Sequence, residues 1–245
     1  INMTLLAIVQ ARMGSSRLPG KALKDIQGRS MLARVVRRAQ RSSLIDRLIV
    51  ATTDKEADDA IASECKVLGV SVFRGSEDDV LDRYYQAAKA FSAEAVVRIT
   101  SDCPLIDPDV IDRVVRVFLD NRPDYASNTI ENTYPRGLDV EVFTFSALEK
   151  AWRNASRDFE RVHVTPYIYL HPELFRKLSV TGEKNLSFYR WTVDTAEDLA
   201  LVRAIYEKMG GDDHFSWRDV LELFEREPCL AELNRHIRQK SLEEC

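Results

Sequence analysis

Four times before Asp120, a short unbroken apolar run gives way to a segment with helical spacing. That alternation confines the chain to a parallel sheet covered by helices. The apolar runs are residues 5–10, 48–53, 70–73 and the stretch AVVRITSD that ends at Asp102. Their lack of apolar–polar alternation marks strands buried on both faces. Between them, residues 30–41, 55–68 (stopped by Gly69) and 80–91 carry helical spacing. In such sheets ligands bind beyond the carboxyl ends of the strands, which here are Gln10, Thr53, Phe73 and Asp102.

After Pro123 the pattern changes. Residues 125–128, 137–145 and 175–182 read as strands, and residues 146–154, 158–170 and 196–209 as helices, with helical breaks at Gly210–Gly211 and Pro228. At 245 residues with only 9 Gly and 8 Pro, no linker separates two halves, so residues 1–245 are expected to form one domain. A net charge of −4 gives no general attraction for nucleic acid. Cys65, Cys103, Cys229 and Cys245 are scattered, which fits reduced thiols in a cytoplasmic protein. Met3 is expected as the start, with Ile1 and Asn2 upstream of it. Arg12 interrupts the first apolar run, so no signal peptide is expected, and no uncharged stretch approaches membrane-spanning length.

The loop after the first strand holds the densest chemistry. Arg12, Arg17 and Lys21 lie within ten residues, beside Ser15 and Ser16, while Gly14 and Gly20 let backbone approach a ligand. Together with Gln10 and Ala11 at the strand end, they suit a triphosphate: arginine grips oxygens in pairs, lysine supplies a point charge, and freed N–H groups form an anion nest. A solvated basic loop is the plainer alternative. Neither G-x-G-x-x-G nor the Walker pattern is present, since Ala22 follows Lys21.

Two aspartates end strand-like segments before a turn or helix. Asp102 suits either a turn before Pro104 or a magnesium site. Asp194 suits either a helix start, with Thr195 as cap, or the same metal. In residues 137–145, alternation puts Leu138, Val140 and Val142 on one face and Asp139 and Glu141 on the other, facing solvent or sugar hydroxyls. Arg136 could pair with a sugar carboxylate or with one of these acids. His163 stands alone, with no second histidine at ligand spacing, so a structural role competes with a binding one and zinc is not expected. No Ser–His–Asp order supports a covalent nucleophile, and Cys103 reads as a small buried thiol.

The segment IVQARMGSSRLPGKAL (8–23) resembles the opening motif of sugar-activating cytidylyltransferases, and of their spore-coat polysaccharide branch above all, over residues 3 to about 209. VATTD (50–54), RGSEDDVLDRYY (74–85), RITSDCPLID (98–107), YPRGLDVEVF (134–143) and RWTVDTAEDL (190–199) follow in the same order and spacing. The resemblance implies a Rossmann-like three-layer nucleotide-diphospho-sugar transferase fold with a mostly parallel central sheet. It implies transfer of a nucleotide from CTP to a sugar or sugar acid with release of pyrophosphate, for surface or spore-coat polysaccharide. Mg²⁺ would sit on Asp102 and Asp194. Arg12, Lys21 and Asp102 would be catalytic, and Arg74, near Arg83, would border the nucleotide. Arg136, Asp139, Glu141, Arg161 and His163 would face the sugar. Residues 123–189 would form a sugar-binding and dimerisation subregion of a homodimer. Cys103 departs from the acidic or amide residue usual in the sialic and octulosonate synthetases, and Val162 replaces a family glutamate. A glycosyltransferase using a nucleotide-sugar donor and a non-catalytic nucleotide sensor are the rival readings; the first lacks its Asp-x-Asp motif, because Ser101 and Pro104 flank the site.

Overall fold

The computed structural model describes residues 3–242, so expectations for Ile1, Asn2 and Cys245 lie outside the described residues. Strand β1 (Leu5–Gln10) leads through the basic loop and a small hairpin, β2 (Asp25–Ile26) and β3 (Arg29–Ser30), into helix α1 (Met31–Ala39). Ser30 caps α1 by accepting from Ala33 N at 3.0 Å. Then follow β4 (Arg47–Thr53), α2 (Asp59–Leu68), β5 (Ser71–Gly75), α3 (Val80–Ala90), β6 (Ala95–Thr100) and α4 (Pro108–Asn121). The later part contributes β7 (Tyr125–Ser127), β8 (Glu141–Thr144), α5 (Phe145–Asn154), α6 (Asp158–His163), α7 (Pro166–Tyr169), β9 (Lys177–Ser179), α8 (Ala196–Lys208) and α9 (Trp217–Arg226).

Seven strands form one sheet in the order β5-β4-β1-β6-β8-β7-β9. β5, β4, β1 and β6 are mutually parallel, and β8 alone runs against its two neighbours. The architecture is a mixed α/β fold with a mostly parallel central sheet flanked by helices. β1 explains its own sequence: Leu5, Ala7 and Val9 pack into one core layer, while Leu6 and Ile8 pack into the other with α3 and α5. Both faces are dry, so both parities are apolar. The chain builds outward from β1 through β4 to β5, then returns to place β6 on the other side of β1. This reversal opens a crevice beyond the strand ends, flanked by the loops after β1 and β6.

Three expected elements are shorter than their patterns. The helix expected over 158–170 is broken at Val164, which sits at φ 73° in a γ-turn closed by Thr165 N donating to His163 O at 2.9 Å. Pro166 then opens α7 at a first-turn position, where its missing N–H costs nothing. The strand expected over 137–145 begins only at Glu141. Before it, the Asn128 side chain replaces the ladder, donating to Leu138 O and accepting from Val140 N. The strand expected over 175–182 shrinks to Lys177–Ser179, because its partner β7 is only three residues long.

Candidate active site

Lys21 is the centre of the site. The loop reaches it through a left-handed Gly20 (φ 67°), whose N–H donates to Met13 O at 3.0 Å, and Met13 N is held by Asp58 Oδ1 at 2.7 Å. The Lys21 ammonium then donates to Asp102 Oδ2 at 3.1 Å, Asp194 Oδ1 at 2.9 Å and Val193 O at 3.0 Å. Residues separated by 81 and 173 positions thus converge on one atom.

Backbone docking causes the convergence. The segment before α8 lies against the loop after β6, with Val193 N donating to Asp102 O at 2.8 Å and Thr192 Oγ1 to the same oxygen at 3.2 Å. One turn earlier, Trp191 N donates to Arg136 O at 2.7 Å. A side chain at Gly137 would put Cβ 2.7 Å from Thr192 N, so only glycine permits this approach. Thr195 caps α8 through Asp198 N, which leaves the Asp194 carboxylate free to face the crevice. It meets Lys21, Arg17 at 3.2 Å and Arg190 at 2.7 Å.

These charges decide each other's protonation. Burial opposes the Lys21 charge, but Asp102 and Asp194 outweigh it and raise its pKa. Burial likewise opposes the Asp194 carboxylate, and Lys21, Arg190 and Arg17 more than offset that, holding its pKa low. Cys103 is a buried free thiol, and burial pushes its pKa well up.

Around this cluster opens a cleft of about 690 Å³. Gln10, Ala11, Arg12, Gly14, Ser15, Ser16, Arg17, Lys21, Asp102 and Asp194 all line it. Arg161 lines it too, and His163 lines both it and a second cavity. Arg161 is already committed, donating to both oxygens of Asp79 and to Trp152 O. Arg74 does not reach the cleft, which corrects its expected place beside the nucleotide. Its guanidinium turns back onto Thr53 O, Lys55 O and Asp59, stapling the turn after β4. Arg83, buried on α3, lines the cleft instead.

A second cavity of about 610 Å³ adjoins the first, sharing Arg98, Thr100, His163 and Lys240 with it. Arg136, Asp139 and Glu141 line it. Glu141 does not face solvent, which corrects that expectation: it is buried, pairs with Arg98 and accepts from Tyr125 Oη at 2.6 Å and Thr165 Oγ1 at 2.5 Å. Asp139 is the carboxylate left, and burial, opposed by Arg136 but aided by Glu141 and Asp102, raises its pKa to about 6. Burial, then the Arg98 charge, lowers the pKa of His163.

Two residues escaped the sequence reading. Arg190 bridges Asp194 and the buried Asp198, and Asp198 also accepts from the Asp194 and Thr195 N–H groups. The four-residue step from Arg190 to Asp194 was the available signal. Lys240 had none, since nothing local marks it.

Comparison with known proteins follows this geometry. The family model described as cytidylyltransferase matches residues 6–218. The spore coat polysaccharide biosynthesis protein SpsF of Bacillus subtilis is 36% identical, over 93% of this chain and 96% of its own length. A 3-deoxy-manno-octulosonate cytidylyltransferase of Trichlorobacter lovleyi is 37% identical, over 49% of this chain and 46% of its own. Among solved structures, a cytidylyltransferase from Leptospira borgpetersenii superposes with a TM-score of 0.90 at 34% identity, covering 98% of this chain and all of that one. A match of this length, carried by a sheet whose switch point gathers the motif residues, places the chain in the cytidylyltransferase family, whose chemistry is CTP-dependent nucleotidyl transfer.

Proposed function

We propose that the chain transfers CMP from CTP to a hydroxyl of an acidic sugar. The observation that carries this reading is Lys21 held between Asp102 and Asp194 at the base of a cation-lined cleft that adjoins a second polar cavity. The hydroxyl oxygen attacks the α-phosphorus, the bond to the bridging oxygen breaks, pyrophosphate leaves and the hydroxyl proton passes to solvent. Arg12, Arg17 and Lys21 hold the triphosphate and neutralise charge as it shifts to the leaving group. Preorganised cations suffice for such a displacement, so no covalent enzyme intermediate is needed. Gln10 Oε1 is buried in the cleft wall without a protein partner and is available to a donor on the nucleotide.

The donor set also fits Mg²⁺. Asp102 and Asp194 turn one oxygen each toward a point that a cation, the Lys21 ammonium, already occupies. Magnesium takes one or two carboxylates and fills its shell with water and phosphate oxygens. Among the described residues no group of three or more acids, histidines or cysteines offers a fuller cage. Bound there, the ion would supply Lewis-acid polarisation of the phosphate. Lys21, displaced from the carboxylates, would be free to bind phosphate.

Within this reading the whole chain works as one nucleotidyltransferase domain in the cytoplasm, and residues 123–189 serve the sugar and a homodimer. Leu174 and Phe188, exposed in that range and lining neither cavity, support the pairing. No described helix is long and apolar enough to cross a membrane. By analogy with SpsF, the product feeds surface or spore-coat polysaccharide. The deciding experiment mixes the protein with CTP, Mg²⁺ and a panel of sugar acids and follows pyrophosphate. Release with CTP plus one sugar acid is expected. Cleavage of a nucleotide-sugar donor without pyrophosphate release, or CTP binding with no release under any acceptor, would overturn the reading. Light scattering at micromolar protein checks the dimer, which a monomer mass would refute.

A further inference from the structure

The second cavity is walled partly by residues that lie beyond the family match, which ends at residue 218. After the short 3₁₀ turn Pro228–Leu233, the chain crosses back over the site. Asn234, buried, donates to Arg190 O and to Asp198 Oδ1, both at 2.8 Å. Five residues on, Gln239 Oε1 accepts from Arg190 Nη1 at 2.5 Å. Leu242 lines the second cavity beside His163. Residues 234–242 therefore form a strap pinned at its start and middle. Both pins are on Arg190, whose other nitrogen holds Asp194. Gln239, Lys240, Ser241 and Leu242 all line the second cavity.

The strap adds a cation that has no carboxylate partner among the described residues. Arg98 is paired with Glu141, and the Lys177 ammonium donates to Tyr169 O. Arg136 has Asp139 as a neighbouring charge and, like Lys240, forms no ion pair among the described residues. Among the described residues no carboxylate forms an ion pair with Lys240. It lies where the cavities join, lining both. Counting Arg98, Arg136, Lys177 and Lys240 against Asp139 and Glu141, the second cavity carries an excess of positive charge. An anion entering it would reach Lys240 without breaking an ion pair among the described residues.

Resting on the CMP-transfer reading above, we propose that Lys240 is a specificity-determining residue. Its ammonium binds the carboxylate or phosphate of the acceptor sugar, and the strap carrying it is one wall of the acceptor cavity. This makes acceptor choice a property of a segment outside the family's matched core. Relatives with the same nucleotide cleft and a different strap would then take different anions.

The test is calorimetry on the full chain loaded with CMP, titrated with 3-deoxy-manno-octulosonate (a carboxylate) and separately with ribose 5-phosphate. Wild type, Lys240→Ala, Lys240→Arg and Lys184→Ala are compared; Lys184 is exposed and lines neither cavity. Lys240→Ala is expected to weaken one probe roughly tenfold, the usual effect of losing a charge-assisted contact at a partly open site. Lys240→Arg should restore binding to within about threefold, whereas Lys184→Ala should match wild type. The probe that loses affinity tells carboxylate from phosphate. Equal affinity of Lys240→Ala and wild type for both probes overturns the proposal, as does a wild type that binds CMP but neither anion at millimolar concentration. Failure to bind CMP strikes instead at the CMP-transfer reading, and the anion titrations still report on Lys240.

Discussion

The two cavities meet at Arg98, Thr100, His163 and Lys240, yet they are built on opposite plans. The first centres on the basic loop with Asp102 and Asp194, and that central cluster is electrostatically closed: Lys21, Arg17 and Arg190 already satisfy Asp102 and Asp194. The second draws on β6, β7, β8, α6, α7, β9 and the strap, and its charges are unequal: Glu141 is consumed and Asp139 resists ionisation. A closed cluster holds its geometry before ligand arrives, and its members exchange partners when phosphates enter. An open one leaves charge for the ligand to satisfy. The same donor nucleotide can therefore be kept across a family while the acceptor varies.

The sharpest way to break this contrast is to open the closed cluster. Lys21→Ala leaves Asp102 and Asp194 facing each other without the cation between them, and it removes a charge from the triphosphate cleft. Turnover is expected to fall roughly a hundredfold or more, the scale seen on losing one preorganised electrostatic group. Asp102→Ala should lose a similar factor. Pyrophosphate release at saturating CTP measures both. Wild-type turnover in either variant would sink the claim that this cluster is the reaction centre.

What the sequence disclosed follows the same division. The Arg12-to-Lys21 loop was legible because its charges are neighbours in the chain, and Asp102 because a strand end in a parallel sheet faces the crevice. The pairing of Asp194 with Asp102 needed the docking of residues 191–193, which Gly137 permits and no local pattern announces. For Asp139 and Glu141, alternation correctly separated them from Leu138, Val140 and Val142, whose side chains are fully buried. It could not reveal that Arg98, Tyr125 and Thr165, from three other elements, would use up Glu141. Arg74 and Arg83 sit in one motif, but their fates are set by backbone direction. Arg83 lies on the inner face of α3, while Arg74 near the end of β5 finds open carbonyls behind it.

A smaller effect tests the open cavity. With its folded pKa near 6, against an ordinary value near 4, the Asp139 carboxylate is harder to ionise in the native chain than in the unfolded one. The unfolded state therefore binds fewer protons in that window, and the Asp139 contribution to stability falls as pH rises from about 4 through about 6. Asp139→Asn has no such cost. The variant's melting temperature should gain on wild type as pH climbs across this window and hold a constant lead above it. A gap that does not change between pH 4.5 and 7.5 would mean that the carboxylate is solvated and the second cavity is not the low-dielectric site described.

The smallest effect is expected at Arg74. It touches neither cavity, so Arg74→Ala should leave the CTP dissociation constant within about twofold of wild type. Its bonds to Thr53 O and Lys55 O fix the turn after β4, and both carbonyls lose a charged donor in the variant. With the side chain about a third exposed, water replaces part of that loss, and the stability cost should be about 1 kcal/mol, readable by urea denaturation. Arg83→Ala is the matched contrast, because that buried guanidinium lines the cleft and donates to Ser76 O. It should weaken CTP severalfold as well as destabilise. If instead Arg74→Ala lost CTP affinity tenfold and Arg83→Ala did not, the turn after β4 would have to swing into the cleft on binding. The nucleotide cavity would then be no more preformed than its neighbour.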